Sequence, residues 1–244
     1  MNIVFSIVNH NHEKYIYNFL KTLDKNLRVL KSFKLHIIIT NNLKEKKWYF
    51  NSIKFTISEI NNHVSLGFGQ NHNKAFKNLE KKCDFFCIVN PDTYFFEKLD
   101  VKKIFLNLKK NKIYSPLILN EDKTVADFFR KDIGIFNLLQ RKLFMRKKED
   151  MKNYDWLAGV FLIFNYKLYN KLKGFDERFF MYVEDCDICF RARKKGYKLK
   201  ILENFKIIHV AQRNSQKSLK YFFWHLKSLF YYFFKKTFII KVVD

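Results

Sequence analysis

The chain opens Asn2-Ile-Val-Phe-Ser-Ile-Val8 and then enters a lysine-studded segment whose apolar residues, Ile16, Phe19, Leu20, Leu23, Leu27 and Leu30, recur at three- and four-residue intervals. The first run has the length of a strand, and the second predicts a helix over residues 14–30. The alternation then repeats. Residues 35–40 read as a second strand, rich in apolar and β-branched side chains, and residues 55–60 as a third. Residues 69–82 read as a helix and residues 85–89 as a fourth strand. Such alternation predicts an α/β fold, a mostly parallel sheet wrapped by helices. Ligands of these sheets sit beyond the carboxyl ends of the strands. Asn9, Asn11, Thr40, Asn41 and Asn90-Pro91-Asp92 all fall at those ends, which points to one shared site.

A chain of 244 residues suits one large domain, or a domain with an appendage. Lysine and arginine number 47 against 23 acids, a formal charge of +24. A field of that sign favours anionic partners: phosphorylated ligands, nucleic acid or an acidic membrane surface. Cys83, Cys87, Cys186 and Cys189 form no secretory framework and read as buried thiols of a reducing cytoplasm rather than a zinc site. The apolar start lacks a basic leader, and no run reaches the ~18 uncharged residues of a membrane span. The expected location is cytoplasmic, either free or peripheral at the inner face of the cytoplasmic membrane.

Beyond the fourth strand, residues 132–154 break the pattern. They contain the basic, amphipathic stretch Arg141-Lys-Leu-Phe-Met-Arg-Lys-Lys148 and read as an inserted lid. Residues 198–202 and 205–210 read as two short strands. Residues 218–236 crowd aromatic side chains among lysines, too many for a helix with a single buried face. This tail is expected to cover the sheet, pair with a second subunit or lie in a membrane interface.

Two acidic clusters carry the chemistry. Glu184, Asp185 and Asp187 sit at the mouth of a helix that ends near Gly196. Carboxylates so close repel one another and need a cation, a helix N-terminus or a substrate proton nearby. Favourable dipole chemistry is the plainer reading. The alternative is a general base, Asp185 or Glu184, whose neighbour raises its pKa toward usefulness. Asn90-Pro91-Asp92 ends the fourth strand, and its oxygens suit a hard divalent cation shared with phosphates, Mn2+ or Mg2+. Taken alone it is an ordinary Asn-Pro-Asp turn. His209, at a strand end, is either a neutral imidazole ligand or a hydrogen-bonded structural histidine. His10, His12, His63 and His72 read as polar loop or helix residues without a catalytic role. Gly67-Phe68-Gly69 is weak evidence for a phosphate loop.

Val8-Asn9-His10-Asn11, Leu66-Gly67-Phe68-Gly69-Gln70-Asn71-His72-Asn73, Val89-Asn90-Pro91-Asp92, Trp156-Leu157-Ala158-Gly159, Gly174-Phe-Asp-Glu and Tyr182-Val-Glu-Asp-Cys-Asp occur in this order. Together they resemble the family 2 glycosyltransferases, especially the rhamnosyltransferase-like branch. The resemblance implies a GT-A fold over residues 1–214, with 1–95 the nucleotide-sugar-binding half and 96–214 the acceptor and catalytic half; residues 215–244 are the appended tail. It implies a nucleotide-sugar donor, a divalent metal and inversion at the anomeric carbon. By position, Asn90 and Asp92 fill the place of a metal-binding D-x-D, with His209 close to metal or diphosphate. Asp185 fills the place of the base, with Glu184 beside it. Asn9, Asn11, Thr40, Asn41, Gly67, Asn73, Asn90 and Gly159 fall in donor-binding places. One departure concerns the nucleobase: relatives carry an acid before the asparagine that ends the second strand, whereas this chain has Thr40, with different hydrogen-bonding capacity.

The implied reaction moves a sugar from dTDP-rhamnose or a UDP-hexose to a saccharide or lipid-linked acceptor, in synthesis of a bacterial surface polysaccharide. An anionic membrane surface and a homodimer are the expected further partners, and nucleic acid is not. A basic nucleic-acid binder leaves the 184–187 acids unexplained, since acids on a binding face repel phosphate. A non-catalytic relative that only binds nucleotide sugar is the other alternative.

Overall fold

The computed structural model describes residues 1–28, 33–132, 134, 151, 153–210 and 219–243. Most of the expected lid, including the basic stretch 141–148, lies outside the described residues. The first half runs β1 (Asn2–Asn9), α1 (Glu13–Asn26), β2 (Lys34–Asn41), β3 (Thr56–Asn61), α2 (Phe68–Lys77), β4 (Phe85–Val89) and β5 (Thr93–Tyr94). The second half runs α3 (Val101–Leu106), β6 (Lys112–Leu119), β7 (Phe129–Arg130), β8 (Trp156–Leu157), β9 (Phe161–Asn165), α4 (Tyr166–Lys171), α5 (Glu184–Lys194), β10 (Lys198–His209) and α6 (Leu219–Val243).

Eight strands form one sheet in the order β3-β2-β1-β4-β9-β6-β10-β5. The pairs β3/β2, β2/β1, β1/β4 and β6/β10 are parallel, while β9 and β5 run against their neighbours. The fold is therefore α/β with a mostly parallel sheet, as the alternation predicts. After β1 the chain moves outward to β2 and β3, then returns to place β4 on the other side of β1. This reversal is the switch point at which such sheets open a crevice.

Burial explains the central strands. Every residue of β4 and β9 is buried, and Phe5 of β1 packs edge-on against Phe161 of β9 at 5.4 Å. On α1 the buried stripe is Ile16, Phe19, Leu20 and Leu23. Each such side chain contributes about 1.5–3 kcal/mol when fully buried.

Three boundaries differ from the expectation, each for a tertiary reason. The first helix ends at Asn26, not residue 30, because the Asn26 amide donates to the carbonyls of Thr22 and Phe95, and Leu27 turns extended to bridge Leu99. The second helix ends at Lys77, not residue 82, where the Asn78 side chain bonds back to the Lys74 carbonyl. The two short strands expected over 198–210 are one strand, β10, carrying a bulge. Its register against β6 slips between Leu202 and Lys206, just past the Leu202–Pro116 pair. Proline offers the ladder no N–H, so a bulge there is the relaxed solution.

Candidate active site

A cleft of about 580 Å³ opens at the carboxyl edge of the sheet, over the switch point. Val8, His10 and His12 line it from the end of β1, and residues 89–92 from the end of β4. Residues 158–160 form its floor, Glu184 and Asp185 its far wall, and Lys220, Tyr221 and Trp224 of α6 its lip.

The turn after β4 is pinned by its backbone. Asn90 N–H donates to the Val160 carbonyl at 2.8 Å, Thr93 Oγ1 to the Asn90 carbonyl at 2.8 Å, and Val210 N–H to the Asp92 carbonyl at 2.8 Å. The last bond ties the end of β10 to the turn and sets His209 Nε2 3.2 Å from Asp92 Oδ1. Asp92 Oδ1 is sealed from bulk solvent and receives no well-directed hydrogen bond. His12 Nδ1 is likewise buried and unpartnered; burial lowers the His12 pKa, against the opposing pull of the Asp92 charge. An orphaned carboxylate oxygen beside an imidazole fits a divalent cation, and a neutral imidazole ligates readily. Among the described residues no group of three or more His, Cys, Asp or Glu forms a closed metal site. A cation held there would have coordination positions left over for oxygen ligands from outside the chain.

The acids of the far wall are aimed by a strained turn. Tyr182 and Val183 both take left-handed backbone angles, φ 70° and 69°, immediately before α5. For a β-branched residue such as Val183 this conformation is rare and costs about 1–3 kcal/mol. It turns the first residues of α5 into the cleft. Asp185 reaches the cleft surface, its Oδ2 accepting from Gly159 N–H and its Oδ1 from Cys186 N–H, both at 2.8 Å. Burial raises its pKa while the two N–H bonds hold it down. Glu184 lies deeper, with Oε2 unpartnered, and burial reinforced by the Asp185 charge drives its pKa well up. Two carboxylates this close do not both ionise, and the one with N–H partners keeps the charge. Burial thus favours the proton on Glu184, while the two N–H partners favour the charge on Asp185, whose remaining lone pairs can accept a further proton. Asp187 has a structural task instead: it is buried and ion-paired with Arg191 at 2.7 Å and with Lys235 of α6.

Of the remaining residues read as donor-binding, Asn9, Thr40, Asn41 and Asn73 are buried, with their polar groups turned inward. Asn9 donates to Asn41 Oδ1, which also accepts from Trp48 Nε1 at 3.1 Å, while the Asn41 amide donates to the Lys46 carbonyl and Asn61 Oδ1. Asn41 has no group left for a nucleobase. Thr40 is fully buried with its hydroxyl unpartnered, and Asn11 is an exposed residue at φ 61°. Gly67 is required by packing, since a Cβ there would lie 2.6 Å from the Phe180 carbonyl oxygen. The Phe68 N–H already donates to that carbonyl at 2.8 Å, so it is not available to a phosphate. Asn73 holds the 174–177 loop: Oδ1 accepts from Phe175 N–H and Tyr169 OH, and its amide donates to the Phe175 carbonyl and Glu177. Asn73→Ala is expected to lower folding stability by about 2–4 kcal/mol, because several buried partners lose their bonds together. Urea unfolding measures this, and a loss under about 1 kcal/mol would show the loop to be held elsewhere.

His10, His12 and Asn42 line the cleft although the sequence marked none of them. The signal was their place just past the ends of the first two strands. Asn42 orders the opposite rim, accepting from Leu66 N–H at 2.8 Å and from the Asn62 amide at 3.0 Å.

The fold is that of the GT-A glycosyltransferase structures. It is similar over 86% of its length to a structure of GalNAc-T7 with UDP, GalNAc and Mn2+ (TM-score 0.59, 13% identity). It is likewise similar to the mannosyltransferase PcManGT from Pyrobaculum calidifontis in complex with GDP-Man and Mn2+ (TM-score 0.57, 12% identity). The chain spans 44% and 57% of those two chains. In sequence it is a homologue of the rhamnosyltransferase WbbL of Escherichia coli K12, 27% identical over 94% of this chain and 92% of that protein. A 54-residue stretch is 35% identical to the N-acetylglucosaminyl-diphospho-decaprenol L-rhamnosyltransferase of Mycobacterium tuberculosis, 22% of this chain. No family model matches the sequence.

Proposed function

We propose that this nucleotide-sugar glycosyltransferase of polysaccharide synthesis is an inverting rhamnosyltransferase acting on a lipid-linked saccharide at the inner face of the cytoplasmic membrane. The observation that carries the mechanism is one cleft lined by both Asp92, whose Oδ1 lies 3.2 Å from His209 Nε2, and Asp185, whose carboxylate accepts from Gly159 N–H. The similarity to WbbL supports rhamnose as the sugar. A divalent cation would be held by Asp92 and His209, with Asn90 beside them, and would supply neutralising charge to the diphosphate of the departing nucleotide.

The chain's own residues do the rest. Asp185 accepts the proton of the acceptor hydroxyl as that oxygen attacks the anomeric carbon. The glycosidic bond to the nucleoside diphosphate breaks on the opposite face, which inverts the configuration. Glu184, protonated, keeps a second negative charge away from the attacking oxygen. The lip, Lys220, Tyr221 and Trp224, offers a cation and two rings to a saccharide or its phosphate. An acid-lined far wall is the wrong charge for a nucleic-acid groove, despite the +24 of the chain.

The test is release of nucleoside diphosphate across a panel of nucleotide sugars, with Mn2+ or with chelator. dTDP-rhamnose is expected to give the highest rate, and chelation to suppress it. A UDP-hexose as the preferred donor would overturn the rhamnose assignment, and full activity in chelator the metal assignment.

A further inference from the structure

The helix α6 has two unlike long faces. The inner one is fastened to the catalytic wall: Ser228 Oγ donates to the Met181 carbonyl at 2.9 Å, Tyr231 packs on Phe179 at 4.9 Å, and Trp224 packs on Phe180 at 4.7 Å. Lys235 and Lys236 are committed to Asp176, Asp187 and Asp132. The outer face is different. Leu219, Phe222, Phe223, Leu226, Phe230 and Phe234 recur at three- and four-residue intervals along one stripe, each between 53% and 76% exposed. Six large apolar groups in one contiguous stripe, four of them aromatic rings, are not the scattered exposure of an ordinary surface.

Charge selects the occupant. The helix carries lysines and no acid, and Lys220 and Lys227, both exposed, lie beside the stripe. A second copy docked there would bring two chains of +24 together with these lysines facing one another. An anionic bilayer meets the same lysines favourably while its acyl boundary takes up the rings. No helix among the described residues is long and apolar enough to cross a membrane. We propose that α6 lies in the plane of an anionic membrane, with the Leu219-to-Phe234 stripe sunk into its interface and the cleft lip at headgroup level. The inference goes beyond glycosyl transfer and does not depend on the identity of the donor.

The test uses the full chain with vesicles of phosphatidylglycerol and phosphatidylcholine at ~0.15 M salt, where purely surface attraction is screened. The unaltered protein is expected to co-sediment with them. Phe222→Ser, Phe223→Ser and Phe230→Ser combined are expected to reduce the bound fraction roughly tenfold or more. None of the three lines the cleft, so helical content and donor hydrolysis are expected to hold, which separates lost docking from lost folding or lost activity. Lys227→Glu is expected to weaken binding roughly fivefold on anionic vesicles. Binding by the triple variant equal to that of the unaltered protein overturns the proposal. So does a dimer, seen by light scattering, that the triple variant dissociates while neither protein pellets with vesicles.

Discussion

Asp185→Asn is expected to reduce turnover roughly 10²–10⁴-fold, the usual contribution of a positioned base, with donor binding nearly unchanged. The amide keeps the size of the carboxylate and can still accept from one of the two N–H donors, Gly159 or Cys186. It cannot take a proton from the acceptor. Glu184→Gln is the matched control. Because burial and the Asp185 charge favour the protonated form of Glu184, a neutral amide replaces like with like, and activity is expected to stay within a few fold. The pH profile carries the same information. Asp185 must be ionised to work, and burial holds its pKa above the ordinary carboxylate range. The rate should therefore rise with pH through that raised pKa and level off above it. Transfer by Asp185→Asn at near-normal rate, or inactivation by Glu184→Gln, would move the base to another residue.

The second large effect is expected of Asp92→Ala. Its Oδ1 is the orphaned oxygen beside His209, and its backbone, not its side chain, holds the turn through Val210 N–H. The fold should survive the change. Calorimetric binding of nucleoside diphosphate in Mn2+ is expected to weaken roughly a hundredfold, while binding in chelator stays as in the unaltered protein. The comparison isolates the cation from the rest of the cleft. Equal affinities for the two proteins in Mn2+ would sink Asp92 as a ligand.

Asp92 was legible because it follows an apolar run that can only be a buried strand, and the acids at 184–187 because they open a helix. Residues 85–89 and 2–8 are strands wherever they sit, so Asp92 and the β1 loop had to emerge at a sheet edge. What stayed hidden depended on partners distant in the chain. Nothing local tells that Asn41 is consumed by Trp48 and Asn61, or Asn73 by a loop a hundred residues on. The acids at 184, 185 and 187 look equivalent in a string of letters. Helix geometry gives one to the cleft, one to the interior and one to Arg191 and Lys235. The tail was legible as a helix with too many rings, but not as the lip of the cleft, because the loop it packs on gains its shape only from the left-handed pair at 182 and 183.

The glycines of the 67–69 turn bear on how enzymes of this kind exchange parts. A Cβ at Gly69 would lie 2.5 Å from the Phe175 Cβ, as one at Gly67 would press on Phe180, and Asn73 bonds the same loop. The N-terminal half is thus keyed to the 174–180 loop as a mould is to its cast. A hybrid that took residues 1–95 from a relative with another donor would inherit one side of that seam without the other. Altering the donor by recombination therefore requires both segments to travel together, and residues on the two sides should change in concert as lineages diverge.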